Sequence, residues 1–141
     1  MPTRDLRDDE YRALAELRFR LREFLAFSEV AARTAALEPR QHQTLLALRG
    51  LPVGTRPTIG ALAERLVLRH HTVVELVDRL ERAKLVRRNR SRENQREVLV
   101  SITPRGRATL AALSLAHREE LQRTGPALVK ALHGVLTGEA V

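Results

Sequence analysis

The architecture follows from residues 58–103, which read TIGALAERLVLRHHTVVELVDRLERAKLVRRNRSRENQREVLVSIT. A short helix is predicted over Ile59–Leu66, because the Thr58 side chain can cap its first turn. After a break at residues 67–69, leucines and valines at three- and four-residue spacing predict a second helix over His70–Ala83. The two short helices are therefore expected to pack against each other through a tight turn.

Beyond this pair the periodicity changes from that of a helix to that of a strand. Leu85 and Val86 begin one strand, and Glu97–Thr103 alternates, with its valines and Ile102 on one face. The intervening Asn89–Arg96 is polar and almost wholly charged, which predicts a hairpin tip. Helix, turn, helix and hairpin in this order predict a winged helix-turn-helix in a mainly α chain with a small β-hairpin wing. Such a helix fits the DNA major groove, and the hairpin can reach phosphates or the minor groove.

Further helices are predicted on both sides of this segment. Residues Asp9–Ala36 form one long apolar-striped helix without Gly or Pro, and Pro39–Arg49 forms a second. After Thr103, a helix is expected over Pro104–Arg123. Gly125 followed by Pro126 predicts a break, and Pro126–Leu136 is then a separate last helix.

The positive charge is concentrated in one part of the chain. The 141 residues carry 25 Lys and Arg against 17 Asp and Glu, a net charge of +8. Residues 65–107 alone hold 12 basic and 5 acidic side chains, a net charge of +7. Clustered cations displace counterions from DNA, so this segment predicts a phosphate-binding face. A solvated arginine-rich surface is the alternative.

Composition also excludes several classes of protein. The absence of Cys excludes disulfides, thiolate metal sites and Cys nucleophiles. The five His residues include no HExxH motif, and neither a Gly-rich phosphate loop nor a nucleophile elbow is present, so no metal, no cofactor and no enzymatic activity are expected. No apolar run is long enough to span a membrane, and Met1–Asp9 is too charged for a signal peptide, which predicts a cytoplasmic protein.

Four segments together resemble the multiple antibiotic resistance regulator (MarR) family over essentially the whole chain. They read PRQHQTLLAL, TIGALAERL, TVVELVDRLERAKLV and ENQREVLVSITPRG, at Pro39–Leu48, Thr58–Leu66, Thr72–Val86 and Glu93–Gly106. The resemblance implies a homodimeric, sequence-specific regulator of transcription that binds a pseudo-palindromic double-stranded DNA operator. It implies a repressor, associated with the nucleoid of a bacterium or archaeon. The alternative is a non-regulatory module that binds protein or RNA.

The resemblance also assigns roles to segments. Residues 1–36 and 104–141 are expected to be dimerisation helices, and residues 37–103 the DNA-binding domain. The apolar residues expected to be buried between the two copies are Leu110, Leu113, Leu128, Leu132 and Leu136. An anionic or aromatic effector is implied between the dimer helices and the DNA-reading lobe, with Phe24, Phe27, His42 and Leu46 as pocket walls. Ordinary core packing is the other explanation for these four.

The expected DNA contacts lie at the start of the recognition helix and in the wing. They are Arg69, His70, His71, Thr72, Glu75, Arg87, Arg88, Arg90, Arg92 and Arg96. Glu75 can accept a hydrogen bond from a cytosine amino group, or it can pair with Arg79 one turn later. Asp78 and Arg79 are expected to brace the helix against the wing or its own neighbours. Where the family often has Asp-x-Arg, this wing has Asn94-Gln95-Arg96, so the orientation of Arg96 depends on Asn94 or Glu93.

Overall fold

The computed structural model describes residues 4–139, so the outermost residues of the two predicted dimerisation segments lie outside the described residues. The predicted winged-helix class is confirmed, with five helices and one antiparallel hairpin in this part of the chain. The elements are α1 Asp8–Thr34, α2 Pro39–Arg49, α3 Ile59–Leu66, α4 His70–Arg82, β1 Val86–Arg90, β2 Val98–Ile102 and α5 Pro104–Thr137.

The chain divides into two compact units. The central unit comprises residues 32–114, and the helical unit comprises residues up to 31 together with those from 115 onward. No helix in the described residues is long and apolar enough to cross a membrane.

Local signals position α3 and α4 in the central unit. The Thr58 hydroxyl accepts a hydrogen bond from the Ala61 amide at 3.1 Å, which caps α3 as predicted. Val67 ends that helix in the left-handed region, at φ 54°, and the chain turns directly into α4. Leu62, Val73 and Leu80 are fully buried, so the facing sides of the two helices share one core.

The wing is a two-stranded hairpin with one additional edge contact. Val86 pairs with Ile102 at one end and Arg90 with Val98 at the other. The Val100 amide also donates to the Pro57 carbonyl at 2.8 Å, which ties the segment before α3 to β2. The predicted tip over Asn89–Arg96 is too long, since Asn89 and Arg90 belong to β1. Strand pairing uses their backbone, and their polar side chains remain exposed.

A close backbone contact fixes the junction between β1 and α5. The Thr103 hydroxyl donates to the Lys84 carbonyl at 2.7 Å and accepts from the Gly106 amide at 3.0 Å, so it caps α5. A Cβ added to Gly106 would lie 2.1 Å from the Leu85 carbonyl oxygen. Only glycine therefore fits at this point of the helix.

The predicted break at Gly125-Pro126 is wrong, because α5 is continuous from Pro104 to Thr137 with Pro126 inside it. The ring of a proline normally clashes with the Cβ of the preceding residue and keeps that residue out of the helical region. Gly125 has no Cβ, so that part of the clash is absent. The Thr124 hydroxyl also donates to the Glu120 carbonyl at 2.8 Å, within the same turn.

The apolar residues predicted for the dimer interface behave in two different ways. Leu110 and Leu113 are each only 4% exposed, so they belong to the core of the central unit and that part of the prediction is wrong. Leu132 and Leu136 are 45% and 75% exposed in the single chain. Many other large apolar side chains of the helical unit are also exposed, namely Leu6, Tyr11, Leu14, Phe19, Leu25, Val30, Leu115, Leu121 and Val129.

Candidate nucleic-acid interface

The recognition helix α4 presents two chemically distinct sides. Val73, Leu76 and Val77 are buried in the core of the central unit. The residues at its start, Arg69, His70 and His71, are exposed, and Thr72 is half-buried beside them. Arg69 is the N-cap with extended backbone and makes no capping hydrogen bond with its side chain. The structure thus brings these four predicted residues together at one end of α4.

Glu75 lies on the exposed side of the same helix. The predicted pairing with Arg79 is not formed, and in the described part of the chain neither side chain takes part in an ion pair. Both residues are exposed. The carboxylate therefore faces solvent.

The predicted wing arginines fall into three groups. Arg87, Arg92 and Arg96 are exposed, and their guanidinium groups form no ion pair with the described residues. Arg90 is exposed but donates to the Gln95 carbonyl at 2.7 Å, within the wing itself. Arg88 is half-buried, and its guanidinium is paired with carboxylates.

Arg88 joins the wing to the recognition helix. Its guanidinium forms ion pairs with Asp78 and with Glu81, the latter at 3.1 Å. The Arg88 amide donates to the other Glu81 oxygen at 2.9 Å, and this bond, followed by the guanidinium, lowers the pKa of Glu81. Burial alone would lower the pKa of Arg88, but its hydrogen bonds to the two carboxylates raise it.

These contacts give Arg88 a structural role in place of the expected DNA contact, and they give Asp78 a structural role as well. Because its guanidinium is directed at α4, Arg88 is a brace between β1 and the recognition helix, and it does not join the exposed arginines. The prediction that Asp78 braces the helix against the wing is confirmed by the same contact. Arg79 has no equivalent ion pair in residues 4–139.

Sequence reasoning missed Arg56, which lies in the loop before α3. Its guanidinium donates to the Ser91 hydroxyl at 2.9 Å and pairs with Glu97 at 2.9 Å and with Glu93 at 3.5 Å. Asn94 supports the wing differently, since its side-chain oxygen accepts from the Arg96 amide at 3.1 Å. Arg56 is 35 residues from Ser91, and no local pattern in the sequence links them.

The four residues predicted to line an effector pocket are divided between the two units. Phe24 and Phe27 belong to the helical unit, where their rings meet the His117 ring edge-to-face at 5.9 and 5.4 Å. His117 also lies 2.8 Å from the Ser28 hydroxyl. In the central unit, His42 is only 1% exposed and Leu46 is 45% exposed. The described residues contain no group of three or more side chains placed to hold a metal ion.

Comparison with known families identifies the central unit. Residues 37–97, from the end of the α1–α2 turn to the wing, match the MarR family. The match to the MarR family lies within the central unit and covers less than half of the chain. The matched segment contains α2, α3, α4 and the wing tip, and its mainly helical winged fold is that of a MarR-family transcriptional regulator. No curated protein matches the chain by sequence.

Solved structures of transcriptional regulators share this fold. AbsC, a MarR family transcriptional regulator from Streptomyces coelicolor, is 22% identical, with a TM-score of 0.77 over 96% of this chain and 95% of that chain. A probable transcriptional regulator from Pseudomonas aeruginosa is 25% identical, with a TM-score of 0.61 over 82% and 90%. Staphylococcus aureus MepR, solved as a DNA complex, is 22% identical, with a TM-score of 0.61 over 76% and 78%.

Proposed function

We propose that this protein is a MarR-type, homodimeric, sequence-specific double-stranded DNA-binding regulator of transcription that acts as a ligand-responsive repressor. The observation that carries the proposal is the exposed start of α4, with Arg69, His70 and His71, on a helix that the arginine-rich wing contacts through Arg88, in the segment that holds +7 of the net charge. The MepR complex with DNA is a precedent for DNA binding on this fold.

Each recognition helix enters the major groove of one half-site, led by Arg69, His70 and His71. Half-sites lie about one helical turn apart in a helix-turn-helix dimer, so the operator is a pseudo-palindrome. Arg96 reaches the adjacent minor groove, and Arg87 and Arg92 bind phosphates. Arg90 contributes through the shape of the wing, since it already bonds to Gln95.

Glu75 supplies base selection in this proposal. A carboxylate can accept a hydrogen bond from the cytosine amino group in the major groove, whereas it repels phosphate. The exposed position of Glu75 and the absence of a Glu75–Arg79 ion pair in the described chain favour base contact over the structural alternative. A G·C pair is therefore expected in each half-site opposite Glu75.

The helical unit provides the dimer interface. Leu132, Leu136, Leu14 and Val129 leave large apolar areas exposed on one chain. Burying such area contributes about 25 cal/mol per Å². Residues 108–141 carry equal numbers of basic and acidic side chains, so two copies can approach each other there without strong repulsion.

The proposed effector is a small anionic or aromatic molecule, and Phe24 and Phe27 of the helical unit are its proposed contacts. An effector can shift a dimer between two geometries only through unequal affinity for them. The edge-to-face ring contacts of His117 with both phenylalanines give an aromatic ligand rings to pack against. The resulting change in half-site spacing releases the operator. The proposed setting is the nucleoid of a bacterium or archaeon.

A mobility-shift series tests DNA binding against the alternative of a protein- or RNA-binding module. The probes are the duplex upstream of the protein's own gene, an unrelated duplex and an RNA duplex of the same length, each across a salt series. The proposal predicts preference for the upstream duplex that persists as salt rises, with weaker, strongly salt-dependent binding to the other two. Equal affinity for all three probes would refute sequence-specific DNA recognition.

Arg96→Ala tests the wing contact. The exposed guanidinium makes no ion pair with described residues, so its removal leaves the fold intact and removes one groove contact per wing. We expect operator affinity to fall on the order of 10-fold per wing. Fluorescence anisotropy with labelled operator measures this loss. Arg118→Ala, which removes the same charge from the exposed surface of α5, is the control and should bind like the parent. Parental affinity in Arg96→Ala would exclude the wing assignment.

A further inference from the structure

We infer that Arg56 is the positioning residue of the wing tip, and that it sets the affinity of the wing for DNA without touching DNA. The inference rests on the proposed DNA-binding function. Arg56 lies outside the recognition helix and outside the wing, in the loop that precedes α3. Its guanidinium nevertheless reaches Ser91, Glu93 and Glu97, which are all residues of the tip between β1 and β2.

Several hydrogen bonds of the wing tip converge on the Ser91 hydroxyl. Ser91 is 3% exposed, and its oxygen accepts from Arg56 at 2.9 Å and from the backbone amides of Glu93 and Asn94 at 3.3 Å each. Asn94 then accepts from the Arg96 amide at 3.1 Å. A continuous chain of hydrogen bonds therefore runs from Arg56 through the turn to the backbone of Arg96.

The backbone beside Arg56 holds this guanidinium in place. Pro57 accepts from the Val100 amide at 2.8 Å, and Thr58 forms a β-bridge with Leu99. Both contacts fix the residues following Arg56 against β2. The guanidinium thus reaches the tip from a segment that is itself anchored to the hairpin, which limits the entropy lost when the ion pairs form.

Arg56 also neutralises the acidic side chains of the wing tip. The Glu97 carboxylate lies 2.9 Å from its Nε and the Glu93 carboxylate 3.5 Å from a terminal nitrogen. Both carboxylates lie within a few residues of Arg96 along the chain. Without Arg56 they would repel the DNA phosphates at the point where the wing approaches them. The loss of Arg56 is therefore expected to weaken DNA binding in two ways. It removes the hydrogen bond that orders the wing tip, and it leaves two carboxylates without a neutralising cation.

This arrangement accounts for the missing family carboxylate in the wing. The Asp-x-Arg pattern is Asn94-Gln95-Arg96 here, so no acidic side chain at that position can hold the arginine. The support comes instead from a cation outside the wing, which acts through the hydroxyl of Ser91 and the amide of Asn94.

The first test needs no DNA. Hydrogen exchange is measured on the free full-length protein for the amides of Glu93, Asn94 and Arg96, in the parent, Arg56→Ala and Ser91→Ala. Both variants should raise exchange at these amides several-fold, because each removes one side of the same contact. Arg107→Ala, an exposed arginine at the opposite end of the hairpin, is the control and should leave them unchanged. Unchanged exchange in Arg56→Ala would overturn the positioning role.

The second test separates positioning from direct contact. We expect Arg56→Ala to weaken operator binding by about 10-fold, the size of one lost groove contact. Adding Glu97→Gln should recover part of that loss, because it removes a carboxylate that Arg56 no longer neutralises. No recovery, together with a lower salt dependence, would show that Arg56 binds a phosphate and would overturn the inference. If the parent binds no duplex while the exchange test succeeds, the proposed function fails and the structural role of Arg56 stands.

Discussion

Replacing Leu132 and Leu136 together with Asp is expected to convert the dimer to a monomer and to weaken operator binding by about 10²–10⁴-fold, the range by which linked sites exceed single ones. These side chains are 45% and 75% exposed in the single chain, so the protomer does not need them to fold. Two Asp residues on each copy would place four carboxylates in an apolar interface, where unpaired charge is strongly disfavoured. Light scattering after size exclusion measures the mass, and anisotropy measures the affinity.

The control for this change is Val53→Asp. Val53 is fully exposed in the loop between α2 and α3, so the substitution introduces one carboxylate, half the added charge of the double variant, in the central unit. It should leave the protein dimeric. Circular dichroism should show equal helix content in both variants and the parent. A Leu132→Asp, Leu136→Asp protein that remains dimeric would contradict the assignment of this face of α5 to the interface.

Gly106→Ala is expected to lower the free energy of unfolding by about 3 kcal/mol, the upper end of the usual range for an overpacked site. The new Cβ would meet the Leu85 carbonyl oxygen at 2.1 Å. That carbonyl accepts from the Thr103 amide at 3.0 Å, so it cannot move away without breaking the junction of β1 and α5. Denaturant titration at a fixed protein concentration measures the change, because dimer stability depends on concentration.

The matched control is Gly60→Ala in α3. Its Cβ would lie 3.8 Å from the Thr58 hydroxyl oxygen, an ordinary contact, and the residue is helical. Alanine should therefore be neutral or stabilising by up to about 1 kcal/mol. A Gly106→Ala variant as stable as Gly60→Ala would show that the junction can relax, and that the close approach does not restrict this position.

Local chemistry explains which elements could be predicted from the sequence. The Thr58 cap, the apolar spacing in α4 and the alternation in β2 act within a few residues, and each predicted element formed at or near its expected bounds. Pro126 shows where a local rule fails. Part of the rule that Pro ends a helix depends on a clash with the Cβ of the preceding residue, which Gly125 lacks, whereas the missing Pro126 N–H is still a cost within α5.

The sequence predicts that the wing is rich in arginine, but it does not predict which of these arginines form ion pairs. Arg88 and Arg96 have the same chemistry in the sequence, yet one is engaged by Asp78 and Glu81 and the other is exposed. Which arginine meets a carboxylate depends on the pairing of β1 with β2 and on the packing of α4 beside them. The contact of Arg56 with Ser91 spans 35 positions, so no periodicity could indicate it.

The same reasoning applies to apolar residues. Leu110 and Leu132 have equivalent places in a helical apolar stripe, and both were expected between two copies. Leu110 is buried within the central unit, whereas Leu132 is exposed on the helical unit. Periodicity identifies the apolar side of α5, but it does not show which partner covers each part of that side.

The central claim is that two copies of this chain read a pseudo-palindromic duplex through α4 and the wing. Selection from a random duplex library with the intact protein, followed by sequencing, tests it most directly. We expect enrichment of an inverted repeat with half-site centres about 10 base pairs apart, carrying a conserved G·C pair that becomes degenerate in Glu75→Ala. A library without any enriched motif, or a motif without twofold symmetry, would contradict it.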